Sequence, residues 1–443
     1  MDHAVAIENL RQLVQIRSVS RLDESLTEWA EFDRFIETLE HLYPLVHSSL
    51  EREIVAGHSL MFRWPGRSHD EPTVLMAHYD VVAATPEGWI HAPFAADVTG
   101  DGDERIVWGR GTLDDKGALV CIFEALESTL EAGLVPANDI YVCLGHNEET
   151  SGSGARAIVD VLESRSIRPA LVLDEGGAVV EKVFPGVAAP VAVVGVSEKG
   201  IINLTLSVAQ EGGHASTPPQ MTATARLARA IVRLTARPFP ARFTATNFAM
   251  FEALGAHARG AFGVLLRNHR VTRPALLIAF TRLSDETNAV TRTTAAVTML
   301  SGSEAANALA ERAVATVNIR VAVGSSVARA IEHVRTAVRD PKVTFEVLQA
   351  HEPSPASPAS GAAWQLLNST ISSIFPTAIV APYVMLGATD SRHFSRISEF
   401  TYRFSPFEMT TSERASLHAV NERITVATFE RGIAFYRALI ERL

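Results

Sequence analysis

The chain of 443 residues has only two cysteines, Cys121 and Cys143. Both lie in apolar runs, which points to reduced, buried side chains and argues against a disulfide framework. No apolar segment approaches the ~20 residues that a membrane-crossing helix needs. The N-terminal stretch MDHAVAIENLRQLVQIRSVS lacks the basic region and pure apolar run of a secretory signal. There is no basic stripe either. Forty Lys and Arg stand against fifty Asp and Glu, for a net charge of −10 and a pI of about 5.9. Neither nucleic acid nor an acidic membrane surface is an expected partner. No internal repeat is present. These absences predict a soluble, cytoplasmic protein. What is present is ordinary globular material, 47% hydrophobic and 20% charged, long enough for two or three domains.

Apolar spacing predicts helices in AVAIENLRQLVQI and LTEWAEFDRFIETLEHLY. Strand-like runs then alternate with helical ones: TVLMAHYDVV, GALVCIFEALESTLEAG (closed by Gly133), DIYVCLG, GARAIVDVLES and PALVLDEGG. This alternation predicts an α/β layer with a mostly parallel sheet. Near residue 195 the pattern changes. GIINLTLSVAQEGG, VATVNIRVAV and VTFEVLQA alternate apolar and polar residues, as half-exposed strands do. After the linker-like HEPSPASPASG the α/β style resumes. The predicted organisation is an α/β domain over 1–195 and 351–443, interrupted by an inserted α+β domain over 196–350.

Five places put His, Asp or Glu at or just after the end of a strand-like run. They are His78 and Asp80 in MAHYDVV, Asp114 and Asp115 in WGRGTLDDKGA, Glu148 and Glu149 in HNEET, Asp174 and Glu175 in LVLDEGG, and His418 in SLHAVNERI. Each alone is unremarkable, since acids and Gly are common in turns. Together they share one property: in open α/β sheets, ligands bind beyond the carboxyl ends of the strands. Imidazoles mixed with carboxylates suit zinc. Two histidines and three carboxylates exceed the needs of one catalytic ion and fit two ions sharing a carboxylate. Asp80 lies two residues from His78 on a strand, on the same face, where it can orient the imidazole.

The runs MAHYDVV, GRGTLDDKG, HNEETSGSGA, LDEGG, GGHASTPP, GATDSRHF and HAVNER, in that order, resemble the successive motifs of the M20 family of zinc peptidases. The resemblance is nearest to the branch holding carboxypeptidase S and the N-acyl-amino-acid hydrolases. It implies two zinc ions per chain. His78 and Asp174 would hold one, Glu149 and His418 the other, and Asp114 would bridge them. Glu148 would be the general base and Asp80 the residue that orients His78. His214 of the inserted domain would act as an oxyanion donor, often across subunits, which allows a homodimer through that domain. Asn307 and Arg320 would grip the substrate, with Arg392 as a second partner for its carboxylate and Gly387 lining the pocket. His393 is not expected to be a ligand. Two departures are visible: Asn147 stands where the family has Asp, and EAANALAE replaces the segment that carries a Lys and a Pro beside the lid Asn. The implied activity is cleavage of an amide bond next to a free carboxylate, in short peptides or N-acyl amino acids. Two alternatives are deacylation of the acetylornithine or succinyl-diaminopimelate kind, and a metal-binding protein without catalysis. An intact Glu148 speaks against the second. The long segment 236–290 speaks against the first.

Overall fold

A computed structural model describes residues 3–150, 152–181 and 183–443. Ten strands form one mixed sheet whose centre is parallel. Asn138–Gly145, Ser68–His78, Leu171–Asp174 and Thr401–Arg403 lie side by side in that order, all parallel. Antiparallel hairpin strands, Glu51–Val55 and Ser59–Trp64, extend one side. On the other side Val191–Glu198 pairs in parallel with Ile379–Met385. The central strands are buried on both faces, which explains why they read as continuous apolar runs rather than alternating ones. The helix Lys116–Glu131 is buried around most of its circumference and packs against the C-terminal helix Val426–Ile440. Gly432 makes that contact possible: a Cβ there would lie 2.8 Å from the sulfur of Cys121 and 2.9 Å from the ring of Phe407. Both cysteines are buried and free.

Residue 199 joins this sheet directly to a second one. Val191–Glu198 runs in the first, and Gly200–Ala209 runs in a four-stranded antiparallel sheet with Thr294–Ser301, Arg312–Val321 and Thr344–His351. One face of this second sheet is covered by the helices Ala223–Thr235 and Val327–Val338, and a separate apolar core fills the space between. The other face is polar and open, as the alternating pattern predicts. Each helix begins at a hydroxyl cap: Thr222 accepts from the Ala225 N–H and Ser326 from the Arg329 N–H. The segment assigned to the insertion in 236–290 behaves differently from its sheet. It is helical over Ala245–Gly255, Gly260–Arg267 and His269–Leu283, and Phe243, Phe251, Leu266 and Phe280 join the apolar core of the first sheet. Among the described residues no helix is long and apolar enough to cross a membrane.

Candidate metal centre

The carboxyl ends of the parallel strands place the chemistry. His78 is the last residue of its strand, Glu148 and Glu149 follow Asn138–Gly145, and Glu175 follows Leu171–Asp174. Asp114 sits in the loop before the helix Lys116–Glu131, and His418 in a loop before the C-terminal helix. These residues form two sets that share Asp114. In one, His78 Nε2 lies 3.0 Å from Asp114 Oδ1 and 3.3 Å from Glu175 Oε1. In the other, His418 Nε2 lies 2.8 Å from Asp114 Oδ2 and 3.1 Å from Glu149 Oε2. Within each set the candidate ligand atoms fall within 4.8 Å of one another. The two oxygens of one carboxylate thus face two different imidazoles.

Asp174 departs from expectation. Its Oδ2 accepts a hydrogen bond from the Ser391 N–H, and it is Glu175 that meets His78 and Asp114. Asp174 is the last strand residue, packed between neighbouring strands, whereas Glu175 has left the pleat and turns into the cleft. The two neighbouring acids thus meet different partners, Asp174 the Ser391 N–H and Glu175 the His78 imidazole.

Asp80 does more than orient an imidazole. His78 Nδ1 lies 3.0 Å from the Asp80 carbonyl oxygen and 3.3 Å from its carboxylate. That turns Nε2 toward the cleft. The Asp80 carboxylate also accepts from the backbone N–H groups of Glu148 and Glu149, both at 3.1 Å, and from the Ser20 hydroxyl. One buried anion therefore fixes the imidazole and the backbone of both glutamates.

Glu422 was not among the expected residues, although it lies within the run HAVNER. It is fully buried, and its Oε1 accepts from the N–H groups of Gly111, Leu113 and Asp114, while its Oε2 pairs with Arg110. Arg110 in turn donates to the Ala419 carbonyl. These bonds tie the Asp114 loop to the His418 loop, where His418 and Asn421 hold φ values of +57° and +64°. A left-handed conformation costs non-glycine residues energy and persists only when surroundings enforce it.

The electrostatics ask for cations. Burial pushes the Glu175 carboxyl up to about 8, with Asp114 adding to the rise. Burial also raises Glu148 well above the carboxylate range, reinforced by Asp390, Glu175 and Glu149 against the opposing charge of His78. His418 is raised to about 10 by its hydrogen bonds to Asp114 and Glu149. Glu149 Oε1 is buried without a hydrogen-bond partner. Crowded anions, two imidazoles aimed inward and an orphaned carboxylate oxygen match the donor set of two divalent ions bridged by Asp114.

The expected substrate groups fall in three places. Arg320 and Arg392 lie near each other: Arg320 is half-buried and held below its usual pKa by burial and by the Arg392 charge. Arg320 Nε donates to Asn318, and Arg392 Nη2 is buried with no partner. Two guanidinium groups with unused donors therefore lie close to each other, an arrangement suited to an anion. His393 is in neither metal set; burial and Arg392 lower it to about 4. Gly387 lines a cavity of about 260 Å³ together with Gly176, Val183, Phe184 and Leu417. Gly176 and Leu417 are chain neighbours of Glu175 and His418, so this largely apolar space opens beside the cluster. His214 and Asn307 lie together elsewhere, on the exposed two-stranded pairing of Gly213–His214 with Ala308–Leu309. Among the described residues no hydrogen bond or ion pair links either to the cluster.

Comparison with known proteins agrees with this geometry. The sequence profile of Peptidase family M20/M25/M40 matches residues 74–442. The chain is 36% identical to the human N-fatty-acyl-amino acid synthase/hydrolase PM20D1 over 98% of its own length and 87% of the relative's. It is 34% identical to Probable carboxypeptidase S-like 2 of Dictyostelium discoideum, over 93% of this chain and 79% of that one. Among solved structures, an M20 family metallo-carboxypeptidase from Sulfolobus solfataricus superposes with a TM-score of 0.72 at 18% identity, covering 98% of each chain.

Proposed function

Because the chain belongs to peptidase family M20/M25/M40 and is an amide-bond hydrolase of that type, we propose that it uses two zinc ions to cleave N-acyl amino acids. The bond broken is the amide next to a free carboxylate. The observation that carries the reading is the Asp114 carboxylate, one oxygen toward His78 and the other toward His418. His78, Asp114 and Glu175 would hold one ion, and Asp114, Glu149 and His418 the other. Ions bound there would polarise the scissile carbonyl and acidify a water. Glu148, its backbone fixed by Asp80, is the base that takes the water's proton and returns it to the departing amine. Arg320 and Arg392 receive the substrate carboxylate. The apolar cavity beside Glu175 and His418 accepts an aliphatic acyl chain. The name of the human relative supports an acyl group over a second amino acid. His214 and Asn307, exposed and without a hydrogen bond to the cluster among the described residues, would complete the site of a second copy.

The test is to offer the zinc-loaded enzyme N-acyl amino acids, matched dipeptides and the C-terminal amide of each. The expected order is acyl amino acid first, with the amides poorer by 100-fold or more. A site that loses the anion is left with desolvated guanidinium groups unpaired, and such a site rejects the analogue strongly. Equal kcat/KM for acid and amide would remove the arginines from the account. A preference for dipeptides would replace the acyl reading.

A further inference from the structure

A cavity of about 480 Å³ lies apart from the metal cluster, with none of that cluster's residues in its lining. It lies where the chain passes from the first sheet to the second. Lys199, the residue joining the two sheets, lines it, as does Val384 of the first sheet; the remaining lining comes from the insertion and its helical segment. No acidic side chain is among the lining residues. Arg242 and Arg329 are, and both are exposed. Neither guanidinium makes a hydrogen bond, ion pair or ring contact among the described residues. In a chain with ten more acids than bases, two unpaired arginines on one acid-free cavity stand out. A third basic group is already engaged: Lys199 Nζ donates to the carbonyls of Ala289 and Arg292. The rest of the wall is apolar, with Phe239 and Val290 nearly buried and Val323 and Val384 beside them. The Phe239 ring is stacked on His333 at 4.0 Å.

Unused planar donors over an apolar floor define a ligand class. We propose that this joint between the two sheets is a binding site for a small amphipathic anion, an oxyanion head on a short apolar body, distinct from the substrate site. The head is taken by Arg242 and Arg329, which offer paired N–H donors that lysine would not. The body lies against Phe239, Val290 and Val323. Occupancy bridges the element carrying Lys199 to the turn that follows Arg312–Val321, the strand of Arg320. The ligand thus lies across the joint between the two sheets. The proposal does not depend on which amide the enzyme cleaves.

The experiment is calorimetric titration of the full-length, zinc-loaded protein with hexanoate, hexyl phosphate and hexylamine. Hexanoate, hexyl phosphate or both should bind, which identifies the head as carboxylate or phosphate; hexylamine should not. The same anions can reach Arg320 and Arg392, so two variants separate the sites. Arg242→Glu/Arg329→Glu should weaken the joint site at least tenfold while kcat/KM stays within twofold. Arg320→Ala should leave that site intact and impair turnover. Both joint positions are exposed, and Arg242→Gln/Arg329→Gln gives a milder version whose folding is checked by thermal melting. Neither anion binding, hexylamine binding equally well, or isotherms unchanged in both joint variants would overturn the site. None of those results touches the amide chemistry.

Discussion

At the scale of single residues, adjacent acids in this chain are expected to have separate work. Glu148→Gln keeps the size of the side chain but cannot accept a proton. It should retain both ions and lose turnover by roughly 100- to 10,000-fold. Glu149→Gln removes the carboxylate next to His418; if that carboxylate holds an ion, metal affinity should fall first and excess zinc should restore part of the activity. The same logic separates Asp174 from Glu175. Glu175→Gln should lower zinc occupancy directly. Asp174→Asn should leave the zinc count near that of the native protein, because its carboxylate is spent on the Ser391 N–H. Zinc content by elemental analysis, beside rate, decides each pair. Sequence reading named Asp174 in LVLDEGG, whereas in the structure it is Glu175 that faces His78 and Asp114. A doublet of acids at a strand end carries no mark of which residue leaves the pleat first. Glu422 was in view inside HAVNER and went unrecognised, because a buried carboxylate held by backbone N–H groups and one arginine looks, in sequence, like any surface glutamate.

At the scale of elements, the centre depends on loops far apart in sequence being tied together. Glu422 and Arg110 are the tie between the Asp114 loop and the His418 loop. Removing one partner of a buried ion pair leaves the other charge without compensation, a cost of about 3–5 kcal/mol. Glu422→Ala should therefore destabilise the protein and weaken the ion shared by Asp114, Glu149 and His418 more than that shared by His78 and Glu175. Competition with a chelator, followed as two-step zinc release, reads this; equal weakening of both steps would make Glu422 a purely structural residue. The alternation of strands and helices in the first layer was legible because its central strands are short apolar runs with clear turns. The helices of 245–291 were harder, since their apolar residues serve the first sheet's core although they lie within the stretch assigned to the insertion. Sequence order does not reveal which core a helix will join.

At the scale of the whole molecule, His214 and Asn307 sit at an exposed two-stranded pairing with no hydrogen bond or ion pair to the cluster among the described residues. If they serve a second copy, mixing a His214→Ala variant with a Glu148→Gln variant should recover activity as subunits exchange. No recovery, with dimers present, would confine His214 to its own chain. Stability also has a pH signature at the joint between the sheets. Burial and the Arg320 charge lower Lys199 from 10.5 to about 7. In the unfolded chain that lysine stays protonated up to about 10.5. Between these values the unfolded state binds more protons, so this group makes stability rise with pH, by at most ~1.4 kcal/mol per pH unit. Denaturant titrations at pH 7 and pH 9 should show a steeper rise for the native protein than for Lys199→Met. Parallel profiles would mean that Lys199 keeps an ordinary pKa.

The central claim is that one carboxylate, Asp114, is shared between two ions. Anomalous X-ray diffraction from zinc-loaded crystals measures this directly. The account predicts two anomalous peaks flanking Asp114, one against His78 and Glu175 and the other against Glu149 and His418. A single peak, or a peak bound by Asp174 in place of Glu175, would contradict it.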